Sequence, residues 1–326
     1  PLVKPPDKWC AVGRSVCGAC HIHNGLPNQD AIQFEVGAAG DKATLMVVSD
    51  GHGSPRCFRS AKGAELAVQV AMNIARGFFL ESAGSEPESI KDEVRNTLPS
   101  AIVKMRCEEV GSDLEKCPFT AEELNSLESG CGVAAREFVE SRQGQLEAYG
   151  ATLLLVAISG SVVYYLQLGD GDILIVSEET QQVSRPIPED AFFTANVTTS
   201  LCQEQAEKLF RFQCSQGIPP ILITVSTDGY SNSFETPDGF HKVATDLLGL
   251  IRDRGVDYVE SRLPEWLAGT SKEGSGDDIS LGILFREQLT ILKPSPSNGT
   301  DKDHQVLPVE DQSTQVRLNP LETQNT

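Results

Sequence analysis

The sequence predicts an α+β fold in which buried β-strands form a sandwich and helices cover its outside. Three observations predict it. Short, nearly continuous apolar runs recur along the chain, and such runs indicate strands covered on both faces. Longer segments carry apolar residues at helical spacing. Several strand-like runs end in Asp-Gly or a similar turn signal. Helices packed outside the strands would bury the faces that the sandwich leaves open.

The composition is that of a folded, acidic protein. The chain has 326 residues, 40% of them hydrophobic, and 27 Lys+Arg against 46 Asp+Glu give a formal net charge of −19. The apolar content excludes wholesale disorder. The negative charge argues against nucleic acid or an anionic membrane as the main partner, because clustered Lys and Arg bind both. No apolar run reaches the roughly 18 residues of a membrane span. The sequence indicates no oligomeric state.

The first half of the chain is predicted to contain strands followed by helices. In order, the elements are a structured segment over 12–34 with a turn at 24–27, a buried strand over 43–49, a helix over 60–80 and a helical region over 87–109. The stretch 111–132 is polar, acidic and rich in turn residues. We interpret it as an insertion with one short helix near 121–127.

The middle of the chain is predicted to be β. Strands are expected over 151–158, 161–168, 172–177, 220–226 and 279–285, and helices over 240–254 and 256–268. Ser159-Gly160 is a two-residue hairpin signal. We therefore divide the chain into an N-terminal lead (1–12), one folded domain (13–290) and a tail (291–326) that is poor in apolar residues and predicted to be disordered.

Nine cysteines in scattered, often apolar contexts suit free thiols in a reducing compartment, which predicts a cytoplasmic protein. Cys17-Gly18-Ala19-Cys20-His21 matches the attachment pattern of c-type haem. Haem attachment would require export of the protein. A zinc site would require a second Cys/His pair, and His21 and His23 are too close in sequence to supply one. We predict no haem and interpret both cysteines as ordinary strand residues. A haem or redox protein using them is the alternative from a different class.

Aspartates mark the ends of the predicted strands: Asp50, Asp170, Asp228 and Asp277, with Asp30 near the end of the first strand region. One such aspartate is usually a turn former, but five at strand boundaries indicate more. If the strands bring them together, their carboxylates repel unless cations neutralise them. All-oxygen ligands suit Mg²⁺ or Mn²⁺. Two such ions activate a water and hold a phosphoryl oxygen in many phosphatases.

With these motifs in this order, the sequence from about Ser15 to Phe285 resembles the metal-dependent Ser/Thr protein phosphatases of type 2C. The resemblance is carried by Asn28-Gln29-Asp30, Ser49-Asp50-Gly51-His52-Gly53, Tyr149-Gly150-Ala151-Thr152, Leu168-Gly169-Asp170-Gly171, Ser226-Thr227-Asp228-Gly229 and Gly276-Asp277-Asp278-Ile279-Ser280. The residues between 15 and 30 are similar to a divergent bacterial branch. The family implies a four-layer αββα sandwich, with two central, mostly antiparallel β-sheets flanked by helices and the site at one end.

The resemblance also implies roles for individual residues in hydrolysis of phosphoserine or phosphothreonine esters. Two Mn²⁺ or Mg²⁺ ions would be bound by Asp50, Gly51, Asp228 and Asp277, with Asp30 acting through a water. Asp170 would help bind a third ion more weakly. Asp278 and Asn232 would contact the metal ligands without binding an ion themselves. His52 would give a proton to the leaving alcohol. A phosphorylated protein is the implied partner, and a cognate Ser/Thr kinase a second one.

Three departures from the family pattern leave an alternative open. Gln29 replaces a common acidic residue, Asn232 stands where an Asp often completes the third site, and Gly25 occupies the position of the Arg that grips the substrate phosphate. The candidates to replace that Arg are His21, His23, Arg14, Arg56 and Arg59, and the sequence does not choose among them. The alternative is an impaired family member that acts as a phosphoprotein-binding or regulatory module.

Overall fold

A computed structural model describes residues 8–82, 85–188 and 198–287, so the predicted tail lies outside the described residues. The strands are β1 (Trp9–Val16), β2 (Ala31–Gly37), β3 (Ala43–Ser49), β4 (Leu153–Ser159), β5 (Val162–Leu168), β6 (Asp172–Val176), β7 (Val183–Ser184), β8 (Arg211–Gln216), β9 (Leu222–Ser226) and β10 (Ile279–Arg286). The helices are α1 (Ala19–Asn24), α2 (Ala38–Asp41), α3 (Ser60–Glu81), α4 (Pro87–Lys116), α5 (Ala121–Cys131), α6 (Val133–Phe138), α7 (Arg142–Ala148), α8 (Asp228–Ser231), α9 (Pro237–Arg254) and α10 (Val256–Glu273).

The strands form two five-stranded sheets in which every pairing is antiparallel. The first sheet has the order β1-β10-β9-β6-β7, and the second has the order β2-β3-β4-β5-β8. The first and last strands of the fold are therefore neighbours. The predicted hairpin joins β4 to β5, with Ser159 opposite Val162 and Gly160 in the left-handed region at φ 59°.

Side chains of each central strand are buried on both sides, which explains why these runs are apolar throughout. In β3, Met46 and Val48 pack between the two sheets, where they meet residues such as Ile223. The intervening Leu45 and Val47 pack against the helices outside the second sheet. This alternation follows the two-residue period of a strand, and burial on both faces removes the polar positions that a half-exposed strand would show.

Two pairs of helices form the outer layers. Helices α3 and α4 cover the second sheet, with Ala71, Leu98 and Ile102 in their shared core. Helices α9 and α10 cover the first sheet, with Leu247 and Leu263 in theirs. The predicted four-layer αββα sandwich is therefore confirmed. No helix among the residues that the structure describes is long and apolar enough to cross a membrane.

The short helix predicted near 121–127 is confirmed as α5, whereas the start of the stretch 111–132 is helical and not turn-rich. Helix α4 continues to Lys116, and α5 begins at a capping box in which Thr120 and Glu123 bond each other's backbone N–H. Val110, Leu127 and their neighbours on α6 and α7 form a small separate core. The capping box corresponds to a Thr-x-x-Glu signature in the sequence.

The N-terminal region also differs from expectation. Strand β1 begins at Trp9, inside the predicted lead. The cysteines of the Cys-x-x-Cys-His motif do not lie on a strand: Cys17 follows β1, and Cys20 is in the short helix α1. A six-residue helix is too short to show a helical period in sequence, which is the reason it was missed.

Candidate metal centre

Antiparallel pairing gathers the strand-end aspartates at one end of the sandwich. Ala31 pairs with Ser49, so Asp30 and Asp50 lie side by side at the ends of β2 and β3. In the other sheet the Thr227 N–H donates to the Ser280 carbonyl at 3.1 Å, which places the end of β9 beside the start of β10. In an antiparallel pair the end of one strand always meets the start of its neighbour. Asp228 therefore lies close to Asp277.

A threonine that the sequence reasoning passed over connects the two sheets at this point. The buried Thr227 hydroxyl donates to Asp30 Oδ2 at 2.7 Å and accepts from the Ser280 N–H at 2.9 Å. The first sheet thus holds a carboxylate that belongs to the second. The available signal was a polar residue between a buried apolar run and Asp228, since buried polar groups need partners.

The Asp50-Gly51 turn is fixed by backbone bonds on both sides. The Asp50 N–H donates to Thr152 Oγ1 at 3.0 Å, and the Thr152 N–H donates to the Asp50 carbonyl at 2.8 Å. The Gly51 N–H donates to the Gln29 carbonyl at 3.0 Å. A Cβ at Gly51 would lie 2.6 Å from that same carbonyl oxygen and 2.7 Å from the Ser60 carbonyl oxygen. Only glycine fits this close approach of three backbone segments.

Burial and mutual repulsion raise the pKa of three of these carboxyls. The pKa of Asp30 is raised well above its usual value, first by desolvation and then by the charges of Asp278 and Asp277, against the bond from Thr227. Desolvation also raises the pKa of Asp50 well above its usual value, with added repulsion from Asp30 and Asp228. The pKa of Asp228 is raised by desolvation first. Buried carboxylates that crowd in this way resist ionising together.

This arrangement fits divalent cations. The donor set consists of carboxylate oxygens, which are the ligands that Mg²⁺ and Mn²⁺ prefer, and cations would offset the repulsion that raises the carboxyl pKa values. Among the described residues, the buried Gln29 Oε1 has no hydrogen-bond partner.

The residues predicted for a third ion lie beside this cluster. Asp170 follows β5, is exposed and accepts a hydrogen bond from the Thr198 hydroxyl. Its charge contributes to the raised pKa of Asp228. Asn232 Nδ2 donates to Asp228 Oδ2 at 3.0 Å, so this amide orients a carboxylate of the cluster.

His52 lies at the edge of the cluster, held through its backbone. Its N–H donates to the Gly150 carbonyl at 3.1 Å, and a Cβ at Gly150 would lie 2.8 Å from His52 Cδ2. Burial lowers the pKa of His52, the buried Arg106 lowers it further, and the charge of Asp170 opposes both. The imidazole ring therefore lies against the backbone of Gly150.

Most of the residues predicted to replace the phosphate-binding Arg are occupied elsewhere. Arg14 pairs with Glu260 on α10 at 2.9 Å, and Arg56 lies 3.7 Å from Glu147. Arg59 forms a bidentate pair with Glu123, with N–O distances of 2.7 and 2.8 Å. His23 is exposed on α1.

His21 is the candidate that the structure places beside a predicted metal ligand. Its Nε2 is 4.0 Å from Asp277 Oδ1, and its side chain is 14% exposed. Gly25, where the resemblance led us to expect an Arg, is the left-handed cap of α1 at φ 67°. The helix that ends at Gly25 thus carries His21 toward the cluster.

Asp278 organises the segment before β2 to a degree that the sequence did not indicate. Its Oδ1 accepts from the Gly18 N–H at 2.6 Å, and its Oδ2 accepts from the Gln29 N–H at 2.6 Å. The same Oδ2 lies 2.8 Å from His21 Nδ1. Asp278 therefore fixes both the helix that carries His21 and the chain that leads to Asp30.

Comparisons with known proteins agree with this architecture. A family model described as protein phosphatase 2C matches residues 17–268. A search of curated proteins found no match. Among solved structures, PppA of Pseudomonas aeruginosa, a regulatory component of T6SS, aligns with a TM-score of 0.53 at 16% identity, covering 86% of this chain and 99% of its own.

Two serine/threonine phosphatases align similarly. The S. agalactiae enzyme has a TM-score of 0.51 at 16% identity, covering 86% of this chain and 100% of its own. The catalytic domain of PstP, in complex with two manganese ions, has a TM-score of 0.50 at 13% identity, covering 85% of this chain and 98% of its own. At these identities the structural likeness shows the shared fold alone. Since the family model covers most of the sequence, the chain belongs to the protein phosphatase 2C family.

Proposed function

We propose that this chain is a metal-dependent protein serine/threonine phosphatase that hydrolyses phosphoserine and phosphothreonine esters. The observation that carries the proposal is the cluster of Asp30, Asp50 and Asp228, whose buried carboxyls have raised pKa values. The family membership and the two manganese ions of PstP support it. A phosphorylated protein is the substrate, and a Ser/Thr kinase that acts on the same protein is its counterpart.

The proposed ligands of a binuclear Mn²⁺ or Mg²⁺ centre are Asp50, the Gly51 carbonyl, Asp228 and Asp277, with Asp30 acting through a water. When bound, the cations would lower the pKa of a water and offset charge on the phosphoryl group. The protein's part is to hold these oxygens in place: Thr152 fixes Asp50, and Asn232 orients Asp228. Asp170 would add a third, weaker position.

We assign roles in contacting the substrate to two histidines, His52 and His21. His52 would donate a proton to the departing side-chain oxygen, because the packing of its ring against Gly150 fixes it at the edge of the cluster. His21 would contact the substrate phosphate in place of the missing Arg. The Nδ1 atom of His21 is hydrogen-bonded to Asp278, so its Nε2 atom is the one that faces Asp277 and would contact the phosphate.

The second candidate function is a phosphoprotein-binding module without turnover. It is favoured by the glycine at position 25, where the family carries a phosphate-binding Arg. Phosphopeptide binding without hydrolysis under any metal condition would support this alternative over the enzyme.

We also propose that the protein works in the cytoplasm. Its nine cysteines are all free, including the buried Cys57 and Cys202. Free thiols in this number suit a reducing compartment.

Asp228→Ala is expected to lower kcat/KM for p-nitrophenyl phosphate by at least about 100-fold, the scale on which one group that stabilises the transition state acts. EDTA should abolish turnover by the wild-type protein, and Mn²⁺ or Mg²⁺ should restore it. The exposed Asp92→Ala is the matched control and should keep full activity. Turnover that survives EDTA, or an unaffected Asp228→Ala variant, would refute the metal-dependent mechanism.

Asp50→Asn is expected to stabilise the metal-free protein while abolishing its stabilisation by Mn²⁺. Removing one charge from the crowded cluster should raise Tm by roughly 1–2 °C, which corresponds to about 1 kcal/mol in a chain of this size. Thermal unfolding with EDTA and with Mn²⁺ measures both effects, and Asp92→Asn is the control. A lower Tm without metal would show that the carboxylates do not repel.

The same cluster predicts the pH dependence of the metal-free protein. Asp30 and Asp50 hold protons more tightly when folded than in the unfolded chain, where the Asp pKa is about 3.9. The folded state therefore binds more protons, and stability should fall as the pH rises above about 4. Measuring the free energy of unfolding in EDTA as the pH rises above about 4 tests whether stability falls, as predicted, or rises.

His52→Ala is expected to lower kcat by roughly 10²–10⁴-fold on a phosphothreonine peptide. The loss should be much smaller on p-nitrophenyl phosphate, because nitrophenolate leaves without a proton. Retention of the Mn²⁺-induced rise in Tm would show that the metal centre is intact. Equal losses on both substrates would contradict the role as acid.

His21→Ala is expected to raise KM for a phosphopeptide about 10-fold with a smaller change in kcat, because a ground-state contact to the phosphate is lost. His21→Arg should restore part of the affinity, since a guanidinium also binds phosphate. If kcat alone falls and Arg restores nothing, His21 does not contact the phosphate.

A further inference from the structure

A second cluster of possible metal ligands lies next to the acidic centre. It combines a thiol, an imidazole and a carboxylate, whereas the side-chain ligands expected at the acidic centre are carboxylates. Cys17, His21 and Asp278 each offer one ligand atom, and these atoms lie within 4.8 Å of one another. His21 and Asp278 are 257 residues apart in sequence, with Nδ1 and Oδ2 at 2.8 Å. The sequence alone lacked a partner for the Cys-x-x-Cys-His motif, and the fold supplies one.

The backbone holds this cluster in place from both segments. The Ala19 N–H donates to Ser271 Oγ at 3.0 Å, and the Cys20 N–H donates to the Gly276 carbonyl at 2.8 Å. A Cβ at Gly18 would lie 2.6 Å from the Asp277 carbonyl oxygen, so only glycine allows this approach. The ligand-bearing segments are therefore already in contact, and binding an ion requires little further ordering.

The bonds made by Asp278 suit a carboxylate that serves a metal. Asp278 is 3% exposed and accepts backbone N–H groups on both oxygens, from Gly18 and Gln29. These bonds can persist while Oδ2 also faces His21 and Cys17. An ion would take the place of the protons between these side chains. In a tetrahedral site with bonds of about 2.0–2.3 Å, ligand atoms are about 3.3–3.7 Å apart, so only small movements are needed.

We propose that Cys17, His21 and Asp278 bind a zinc-class transition-metal ion, with a fourth position open to water. A thiolate, an imidazole and a carboxylate together favour Zn²⁺ or Co²⁺ over the Mg²⁺ or Mn²⁺ expected at the all-oxygen centre. The bound ion would cross-link the chain before β2 to the chain before β10. Because these segments carry Asp30 and Asp277, it would stabilise the position of both. The site does not depend on the phosphatase activity.

Cys20 provides a matched control within the same motif. It is exposed and does not belong to the three-ligand cluster. Its sulfur lies on the Gly276 side, where an added Cβ would be 2.4 Å away. The two cysteines of the motif are thus distinguished by tertiary structure alone.

The test is titration of the full chain with Co²⁺ in excess Mg²⁺, following the thiolate-to-cobalt charge-transfer band in the near ultraviolet. We expect a one-equivalent band that Zn²⁺ displaces. Cys17→Ser should abolish the band and weaken Zn²⁺ binding more than about 100-fold, since loss of outer partners alone costs 10–100-fold. Cys20→Ser should leave both unchanged.

Further variants separate this site from the acidic centre. Asp50→Asn should keep the band, because oxygen ligands give no sulfur-to-metal transition, and this outcome does not depend on whether the chain has phosphatase activity. Cys17→Ser should melt at the wild-type temperature without metal, which shows that it folds. A missing band in the wild type, a band that survives Cys17→Ser, or a band lost in Cys20→Ser would overturn the proposal. The cluster would then be a hydrogen-bond network around Asp278.

Discussion

The structure depends on holding several carboxylates close together at one end of a β-sandwich. Asp30, Asp50 and Asp228 are brought to the same place by strands of two different sheets, and burial raises the pKa of each. Such crowding costs free energy unless cations or protons compensate it. Burial of the continuous apolar layers between the sheets and beneath the helices stabilises the fold and offsets this cost. The apolar layers thus stabilise a site whose carboxylates repel one another, and divalent cations would relieve that repulsion.

A second carboxylate, Asp278, determines how the N-terminal connection approaches this site. It is adjacent to Asp277 in sequence, but its carboxylate accepts hydrogen bonds from the backbone N–H groups of Gly18 and Gln29. Two consecutive aspartates therefore have opposite tasks. Asp277 faces the acidic centre, and Asp278 anchors the segment that carries His21 and Asp30. Asp278 also lies beside Cys17 and His21, so the acidic cluster and the proposed Cys17/His21/Asp278 site both depend on this residue.

Much of the fold could be predicted because burial on both faces makes strands apolar throughout. The run 43–49 coincides with β3, and the helix predicted over 60–80 became α3 (Ser60–Glu81). The predictions failed where helices were short or solvated. Helix α1 has only six residues, and the solvated helix α4 continues to Lys116, beyond its predicted end at 109. The edge strand β8 (RFQCSQ) is mostly polar and has no apolar run, so it was not predicted.

The sequence by itself determined the buried strands, the long helices and the aspartates at strand boundaries, because these follow from local patterns of burial and turn chemistry. The family and its four-layer sandwich were indicated by the resemblance of the motifs. Tertiary structure alone decided which of those side chains meet. It engaged Arg14 and Arg59 with Glu260 and Glu123, and it left His21 beside Asp277. It also separated Cys17 from Cys20 and gave Cys17 a carboxylate from the far end of the chain. Contacts between residues more than 200 positions apart depend on strand order and register, and no local pattern encodes either.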